Sequence, residues 1–323
     1  MKVLVTGATG FLGSHLCRRL VNDGYDVSVL PRASSHKDAI EGLNLTEIIG
    51  DVTDRDSLDQ AVKGQDIVVH AAAHVLCWRQ LKDLQNHINI CGTRNIVEAC
   101  RKHSVKRLIQ ISSIAAIGIP STSEAPIDET FHFNLLESGL NYHISKYLAE
   151  KEVISGVQQG LDAVIINPSS IFGPFLGKYR GSQMIEKVKQ NRIVLHFRGG
   201  LTPVHVSDVV DGIIQTIKKG EKGQRYILGG ENLTYRKMLV TAAEFLGLKR
   251  NFVTIPALAT RLAAMVLEPL GCLIRKHPPM TWDLHYSANR FLFYNSTKAK
   301  KKLRYNPRPF VEIVKEYFSG NYE

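Results

Sequence analysis

Cysteine is scarce in this chain of 323 residues, and no two cysteines form a C-x-x-C pair. An odd number without close pairs indicates neither a disulfide framework nor a zinc site; the five are Cys17, Cys77, Cys91, Cys100 and Cys272. This usage favours a reducing compartment, and we expect a cytoplasmic protein. The twelve histidines show no H-E-x-x-H or similar spacing, so no metal site is expected either.

Internal repeats, low-complexity tracts and a recognisable nucleic-acid-binding module are also absent. The formal net charge of +11 is compatible with nucleic acid, an anionic membrane or a phosphorylated ligand as partner. Lysines and arginines are mostly scattered, apart from the run from Lys298 to Arg304. We therefore expect no nucleic-acid partner. The first residues already form a predicted strand, so we expect no signal peptide before the fold.

The sequence also lacks an unbroken apolar run long enough to span a bilayer. The nearest candidate, Ile255 to Ile274, is interrupted by Arg261, Glu268 and Pro269. The composition therefore predicts a buried helix of a C-terminal lobe. The alternative is a helix that lies on a membrane surface, as a peripheral contact, or against a partner protein.

What the sequence does contain begins at its first sixteen residues, MKVLVTGATGFLGSHL. Val3 to Val5 form an apolar run that suits a strand buried on both faces, and apolar residues at helical spacing follow. Three glycines, Gly7, Gly10 and Gly13, lie between the strand and the helix. Such a turn lets a pyrophosphate approach the backbone at a helix N-terminus. The segment therefore predicts a dinucleotide site, although its spacing is G-x-x-G-x-x-G.

Apolar strands and amphipathic helices then alternate, which predicts an α/β fold with a doubly wound parallel sheet. The predicted strands include 27–30, 47–49, 67–70, 107–111 and 164–166, and the predicted helices between them are 56–62, 84–103 and 142–155. After Pro168 the alternation loosens, with helices expected at 235–246 and 257–267. We expect a cofactor-binding domain at 1–168, with segments near 202–228 returning to it, and a smaller α/β substrate lobe in 169–323.

The end of the second predicted strand bears on the cofactor. An acidic residue there would bind the ribose hydroxyls of NAD, whereas an arginine accommodates the 2′-phosphate of NADP. The chain has Arg32 at this point, followed by Ser34, Ser35 and Lys37, a set suited to a phosphate. We expect NADP(H) as the preferred cofactor, with NAD(H) as the alternative. Asp51 is expected either to meet the adenine or to cap a turn.

The candidate chemistry lies in Tyr142 and Lys146, whose spacing puts a phenol and an ammonium on one helix face. A neighbouring cation favours the ionised phenol, which makes tyrosine usable as an acid or base. Ser112 and Ser113 follow a predicted strand at the carboxyl end of the sheet, where doubly wound folds bind their ligands. Together these residues predict hydride transfer to or from a carbonyl.

In these motifs the chain closely resembles the extended short-chain dehydrogenase/reductase family, also called the NAD-dependent epimerase/dehydratase superfamily. The matching stretches span residues 3 to about 234 and include TGATGFLG, GDVTD, HAAA, NICGTRN, ISSIAAIG, YHISK, NPSSIFGP, PVHVSDVV and RYILGGENLT. The resemblance is strongest to the dihydroflavonol-reductase-like branch, including the hopanoid-associated sugar epimerase group. It implies a Rossmann fold.

The resemblance also implies roles. Tyr142 would be the catalytic acid or base, Lys146 would bind the nicotinamide ribose and lower the tyrosine pKa, and Ser113 would orient the substrate oxygen, with Ser112 as the alternative. Asn89 would steady the active-site helix. Cofactor contacts are expected from Gly7, Thr9, Gly10, Phe11, Leu12, Gly13, Arg32, Asp51, Val52, Ala71, Ala72, Ala73, Ser112, Tyr142, Lys146, Pro168, Ser169 and Ser170.

Substrate contacts are expected from His74, Trp78, Ser113, Tyr179 and Arg180, with a structural role as the alternative for His74. His205 and Asp208 would order a loop and cap a helix. Ile117 replaces a tyrosine that often faces sugars in the family, which weakens a nucleotide-sugar interpretation.

We therefore expect an NADPH-dependent reductase of a small or mid-sized ketone or aldehyde. The alternatives are a nucleotide-sugar epimerase or dehydratase that retains NAD, and a non-catalytic scaffold at a membrane. A homodimer through the helices flanking Tyr142 is a further expectation from the resemblance.

Overall fold

The computed structural model describes residues 1–120, 125–176 and 178–320. Its strands are β1 Lys2–Thr6, β2 Asp26–Leu30, β3 Thr46–Glu47, β4 Ile67–His70, β5 Arg107–Ile111, β6 Ala163–Pro168, β7 Ser170–Phe175, β8 Lys178–Arg180, β9 Ile193–His196, β10 Gly200–Leu201, β11 Pro203–His205, β12 Arg225–Leu228, β13 Leu233–Thr234 and β14 Asn251–Thr254. Its α-helices are α1 Phe11–Asn22, α2 Arg55–Val62, α3 Lys82–Asn86, α4 Gly92–Lys102, α5 Asn141–Gln158, α6 Ser182–Gln190, α7 Val206–Lys219, α8 Tyr235–Phe245, α9 Ala257–Ile274, α10 Trp282–Ala288, α11 Thr297–Leu303 and α12 Phe310–Ser319.

Seven strands form one parallel sheet in the order β12-β6-β5-β4-β1-β2-β3. In β1, Val3 and Val5 pack into the core on one face of the sheet, and Leu4 packs into the core on the other. This double burial explains why the strand is apolar without alternation. The predicted α/β fold with a doubly wound parallel sheet is confirmed. The strand order reverses between β1 and β4, where such folds bind ligands.

Two predicted elements differ from those observed. The third strand covers only Thr46–Glu47 and is exposed, so it lies slightly before the predicted 47–49. The helix predicted over 84–103 is interrupted by a π-helical turn at His87–Cys91, which separates α3 from α4. Such turns place an extra residue in a helix and often occur at functional sites. Apolar spacing alone could not reveal this one.

The second half of the chain contributes to two cores. Strand β12 belongs to the central sheet, and helix α7 packs in the core beside it with Ala299 and Leu303 of α11. A separate core joins α6, α8 and α12 around residues such as Met238 and Phe310. Strands β11, β7 and β8 form a small sheet beside it, and β9 pairs with β14 in another.

Helix α9 corrects the prediction for residues 255–274. Its helical turns run through Pro269 for eighteen residues, but only Thr260, Ala264, Glu268 and Gly271 are buried. Most of its large apolar side chains are exposed, so the predicted buried helix is wrong. Within the described ranges it is also the one helix with the length and apolar composition to cross a membrane, despite the interruptions.

The start of α7 corrects another prediction. His205, not Asp208, caps this helix, because its Nδ1 accepts from the Ser207 N–H at 3.2 Å while its Nε2 lies 3.0 Å from Glu316. Asp208 instead accepts from the backbone and guanidinium of Arg308, each at 3.0 Å. Both residues thus connect the sheet to the C-terminal segment.

Candidate active site

The glycine turn forms the floor of the site. Gly7 has a φ of +71°, and a Cβ there would lie 2.6 Å from the Ala72 backbone nitrogen. A Cβ on Gly13 would lie 2.1 Å from the Gly7 carbonyl oxygen. Side chains at these two positions are therefore excluded, and the backbone that leads into α1 stays open to a ligand. Gly10 is the N-cap of α1, so the helix N-terminus faces the same space.

Two cavities meet over this turn, and Gly7, Gly10, Ala71 and Ala73 line both. The first, which we call the Arg32 cavity, has a volume of about 260 Å³. The predicted residues that line it are Gly7, Thr9, Gly10, Arg32, Asp51, Val52, Ala71, Ala72, Ala73 and His74. The second, the Tyr142 cavity, has a volume of about 330 Å³. The predicted residues that line it are Gly7, Gly10, Phe11, Leu12, Gly13, Ala71, Ala73, Ser112, Ser113, Tyr142, Lys146, Pro168, Ser169 and Arg180.

Arg32 is exposed and lies two residues after the end of β2, and its backbone N–H donates to the Ser35 hydroxyl at 3.2 Å. Lys37 forms an ion pair with Glu47, so part of the predicted phosphate-binding set has a partner within the protein. Asp51 accepts from the backbone and hydroxyl of Thr53 at 2.9 and 2.8 Å. Asp51 therefore caps a turn and also lines the cavity, while its contact with the adenine stays a prediction.

His74 lies in the Arg32 cavity rather than beside Tyr142, which does not support its predicted contact with the substrate. Burial and the nearby Arg32 guanidinium lower the pKa of His74, so its ring is neutral near pH 7. Its buried Nδ1 has no hydrogen-bond partner in the described structure. This histidine therefore offers a free ring nitrogen close to Arg32.

Helix α5 carries the candidate chemical groups. Burial raises the pKa of Tyr142 to about 12, and a hydrogen bond with the Ser113 side chain only partly opposes this rise. The Lys146 ammonium donates to the Ile111 carbonyl at 3.0 Å, and burial lowers the pKa of Lys146 to about 8. Desolvation is the largest influence on the phenol, and Lys146 is not among the groups that shift its pKa here, so the expected lowering by Lys146 stays a prediction.

The two serines differ in their surroundings. The Ser113 hydroxyl accepts from the Ala115 N–H at 3.1 Å and contacts the phenol of Tyr142. The hydroxyls of Ser112 and Ser169, which line the same cavity, are buried and have no hydrogen-bond partner among the described residues. Buried hydroxyls normally find partners, and these two line the cavity where a nicotinamide amide would fit. These two free hydroxyls and the glycine turn show that the residues of the site suit a dinucleotide.

Asn89 lies in the π-helical turn and bridges two segments. Its amide accepts from the His74 N–H at 2.8 Å and donates to the His74 carbonyl at 3.1 Å and to the Ser145 hydroxyl at 3.0 Å. Ser145 in turn donates to the Tyr142 carbonyl at 2.9 Å. Asn89 therefore ties the loop after β4 to the turn of α5 that carries the tyrosine, without lining either cavity.

Sequence reasoning missed a second layer beneath Lys146. Glu150, one helical turn further on, accepts from the Asn167 amide at 2.6 Å and lies 3.3 Å from Arg225. The same Asn167 amide donates to the Ser113 carbonyl at 2.9 Å. This network connects the lysine and the serine segments. The spacing of Tyr142, Lys146 and Glu150, each four residues apart, could have indicated it.

The remaining predicted residues lie around the Tyr142 cavity or beyond it. The Arg180 guanidinium lies over the rings of Phe11 and Phe175, at 5.4 and 5.3 Å from their centroids. Tyr179 is on β8, and its side chain is outside the described part of the structure. Of the described residues predicted to contact the cofactor or the substrate, Trp78 and Ser170 line neither cavity. The Trp78 ring packs edge-on against His277 at 5.6 Å.

Ile117 is fully buried in a core with Ile227 and Tyr294. It faces neither cavity, so the departure from tyrosine here carries less weight against a sugar substrate than the sequence suggested.

The chain is similar to known proteins along most of its length. Residues 3–229 match the family model described as the NAD dependent epimerase/dehydratase family. A protein of Synechocystis sp. that carries the name dihydroflavonol 4-reductase is 32% identical over 304 residues, covering 93% of this chain and 88% of the relative. A 2-alkyl-3-oxoalkanoate reductase from Stenotrophomonas maltophilia is 27% identical and covers 97% and 96% of the two chains.

Among solved structures, the protein gox2253 superposes with a TM-score of 0.82 at 34% identity, covering 98% of this chain and 97% of the other. The UDP-glucose 4-epimerase of Thermotoga maritima superposes with a TM-score of 0.74 at 22% identity, covering 99% of each chain. At that identity the second likeness shows a shared fold alone.

Proposed function

Because the chain belongs to the NAD dependent epimerase/dehydratase family and is an NAD(P)-dependent oxidoreductase, we propose that it uses NADPH to reduce a ketone or aldehyde. The observation that carries the proposal is the pair of cavities over the glycine turn. One exposes a cation at the end of β2, and the other gathers Tyr142, Lys146 and two serines. A dinucleotide bound across both would place its adenosine end near Arg32 and its nicotinamide near Tyr142.

The protonation states favour reduction. A phenol whose pKa is about 12 is protonated at pH 7 and is ready to give its proton to a developing alkoxide. The Ser113 hydroxyl contacts that phenol and orients the carbonyl oxygen beside it. Lys146, with a pKa of about 8, remains an ammonium at pH 7 and binds the ribose hydroxyls of the cofactor. Nicotinamide, when bound, supplies the hydride.

Arg32 supports NADPH over NADH. Its guanidinium is exposed at the edge of the first cavity, where a 2′-phosphate would gain charge-assisted hydrogen bonds. The residue that would bind the free ribose hydroxyls of NAD is acidic, and β2 is followed by Pro31 and Arg32 instead. The names of relatives also favour a ketone, since one is a reductase of 2-alkyl-3-oxoalkanoates.

The test is oxidation of NADPH by purified protein against a panel of aliphatic and aromatic ketones and aldehydes, with Tyr142→Phe as the inactive variant. Removal of the proton donor is expected to lower kcat by about a thousandfold. Tyr147→Phe is the matched control, because Tyr147 lies on the same helix, stacks on Phe133 at 4.2 Å and is outside the cavity.

Turnover by the wild type and the control, with loss in Tyr142→Phe, is the expected result. Absence of NADPH oxidation across the panel, together with NAD that copurifies with the protein, would instead support an epimerase or dehydratase. Such enzymes reduce and reoxidise a retained NAD within each cycle.

A further inference from the structure

Helix α9 reverses the usual arrangement of a surface helix. The stripe that faces the protein consists of Thr260, Ala264, Glu268 and Gly271, which are small or polar. A helix on a soluble protein normally buries its apolar face and exposes its polar one. Here the outward face is apolar instead, and its exposed members are Leu258, Leu262, Met265, Val266, Leu270, Leu273 and Ile274.

Polar contacts hold the inner stripe in place. The Thr260 hydroxyl lies 2.8 Å from Nδ1 of His285 and accepts from the Asn289 amide at 3.0 Å. The Glu268 carboxylate accepts from the Trp282 N–H at 2.9 Å. At Gly271 an added Cβ would lie 2.8 Å from the Lys276 carbonyl oxygen, so the chain packs closely against this helix. The apolar face is therefore held outward by specific contacts rather than left there by a loose helix.

The strand pair that leads into α9 carries exposed apolar residues as well. Leu195 of β9 and Val253 of β14 are register partners and lie on the same face, and Ile193 shares that face two residues away. Strand β14 ends three residues before α9 begins. We call the outward residues of α9 and of this strand pair the apolar face. Ten large apolar side chains are thus exposed on these elements, whereas isolated exposed ones are normal on a protein surface, so a binding surface is indicated.

The exposed charges of the two segments that carry the apolar face have one sign. Residues 191–196 and 249–277 contain six lysines and arginines, namely Arg192, Lys249, Arg250, Arg261, Arg275 and Lys276. Their one acidic residue is Glu268, which is buried in the inner stripe. An apolar helix face bordered by cations matches a bilayer with anionic headgroups. A second copy fits poorly, because a symmetric contact would bring the same cations together.

We infer that the apolar face docks onto the surface of an anionic lipid bilayer, with α9 lying in the plane of the headgroups. The leucines, Met265 and Val266 enter the boundary with the acyl chains, and the bordering cations contact the headgroups. The helix does not cross the bilayer, because Thr260 and Glu268 fix its other face to the protein. The chain is then a peripheral membrane protein, and this property is independent of its catalytic activity.

The test is flotation of the purified full chain with vesicles of phosphatidylcholine alone or with about a third phosphatidylglycerol. We expect flotation with the anionic vesicles and much less with the neutral ones, which attract only through the apolar contacts. Val266→Glu is expected to weaken binding about tenfold or more, because it removes an apolar side chain that the bilayer would bury and adds a charge that anionic headgroups repel. Val311→Glu on α12 is the matched control; the two valines are 65% and 45% exposed.

The charge contribution has its own pair of variants. Lys249→Glu with Lys276→Glu is expected to reduce binding to anionic vesicles by about fivefold for each cation lost. Lys63→Glu with Lys218→Glu changes the net charge equally at exposed sites outside the apolar face, and should retain most of the binding. Thermal unfolding checks that each variant folds, and Leu273→Glu, at a residue that is 81% exposed, replaces any apolar-face variant that does not.

Three results would overturn the inference: no flotation with anionic vesicles, equal loss of binding in Val266→Glu and Val311→Glu, or a dimer in solution that Val266→Glu dissociates. The last result would show that a second copy covers the apolar face.

Discussion

Helices α5 and α9 both contain eighteen residues, and each departs from the amphipathic pattern in its own direction. Helix α5 buries polar and charged side chains, including Lys146 and Glu150, which are 3% and 1% exposed. Helix α9 exposes large apolar side chains and buries a polar stripe. Ordinary surface helices do neither. The free energy cost of burying polar groups in α5 is offset by hydrogen bonds within the protein. The cost of exposing apolar groups on α9 would be offset by the surface onto which we infer that it docks.

Several buried polar groups of α5 have partners inside the protein. Lys146 donates to a strand carbonyl, Glu150 binds Asn167 and Arg225, and Ser145 binds Asn89. Such a network is stabilising only when nearly every member has a partner, and it then fixes the positions of its members. Helix α5 therefore holds a tyrosine and a lysine at a defined place beside the glycine turn.

The apolar groups of α9 find no comparable partner within the described residues, so their free energy gain must come from something outside the chain. The comparison teaches that departures from a packing pattern identify functional segments, and that their direction indicates the kind of function. Inward charge indicates chemistry, and outward apolar surface indicates docking.

The largest expected effect that tests this comparison comes from replacing Lys146, the buried cation of α5. Lys146→Met is expected to lower turnover by about a hundredfold or more, because the ribose of the cofactor loses its cation. The same variant is expected to raise the free energy of unfolding at pH 7 by up to about 3 kcal/mol, since burial moves the lysine pKa from 10.5 to about 8.

The pH dependence separates this stabilisation from other effects of the substitution. Because the pKa is lower in the folded protein, the charged lysine destabilises it most below pH 8, and that cost disappears as the pH rises from 8 to 10.5. The advantage of Lys146→Met in urea unfolding should therefore shrink between pH 8 and pH 10. A variant that is less stable than the wild type at pH 7 would contradict the comparison.

A smaller effect is expected at Asp283 of α10, which lies near Glu268 of the inner stripe of α9. Burial and the negative charge of Glu268 raise the pKa of this carboxyl group to about 6. Because this pKa is raised above its usual value, ionised Asp283 destabilises the fold above pH 6, and that cost is lost as the pH falls toward 4. Asp283→Asn is expected to raise the free energy of unfolding by about 1–2 kcal/mol at pH 7 and by much less at pH 4.

Thermal or urea unfolding at the two pH values tests this expectation. Equal stabilisation at both would show that the carboxylate charge is not what strains the contact between α9 and α10.

The sequence predicted the sheet and the glycine turn because both depend on local pattern. Val3 to Val5 are apolar without alternation, and three glycines follow, so strand and turn were identifiable from spacing alone. The spacing of Tyr142 and Lys146 likewise placed two groups on one helix face. The structure brings these two groups of α5 together with Ser112 and Ser113, which follow strand β5.

The structure departs from the sequence-based expectations where burial and side-chain placement depend on tertiary contacts. Composition showed that residues 255–274 are apolar, but which face packs inward depends on partners outside the helix such as His285 and Trp282. The pKa of Tyr142 depends on burial, which no spacing reveals. His74 follows β4 as predicted, yet the chain turns it toward Arg32 instead of Tyr142.

The most direct test of the central claim is titration of NADPH and NADH into protein from which any bound nucleotide has been removed, for the wild type and for Arg32→Asp. We expect the wild type to bind NADPH at least tenfold more tightly than NADH, because the 2′-phosphate contacts the guanidinium. Arg32→Asp should lose that preference or reverse it. Tightly held NAD that resists removal, or equal affinity for both cofactors in the wild type, would contradict an NADPH-dependent reductase.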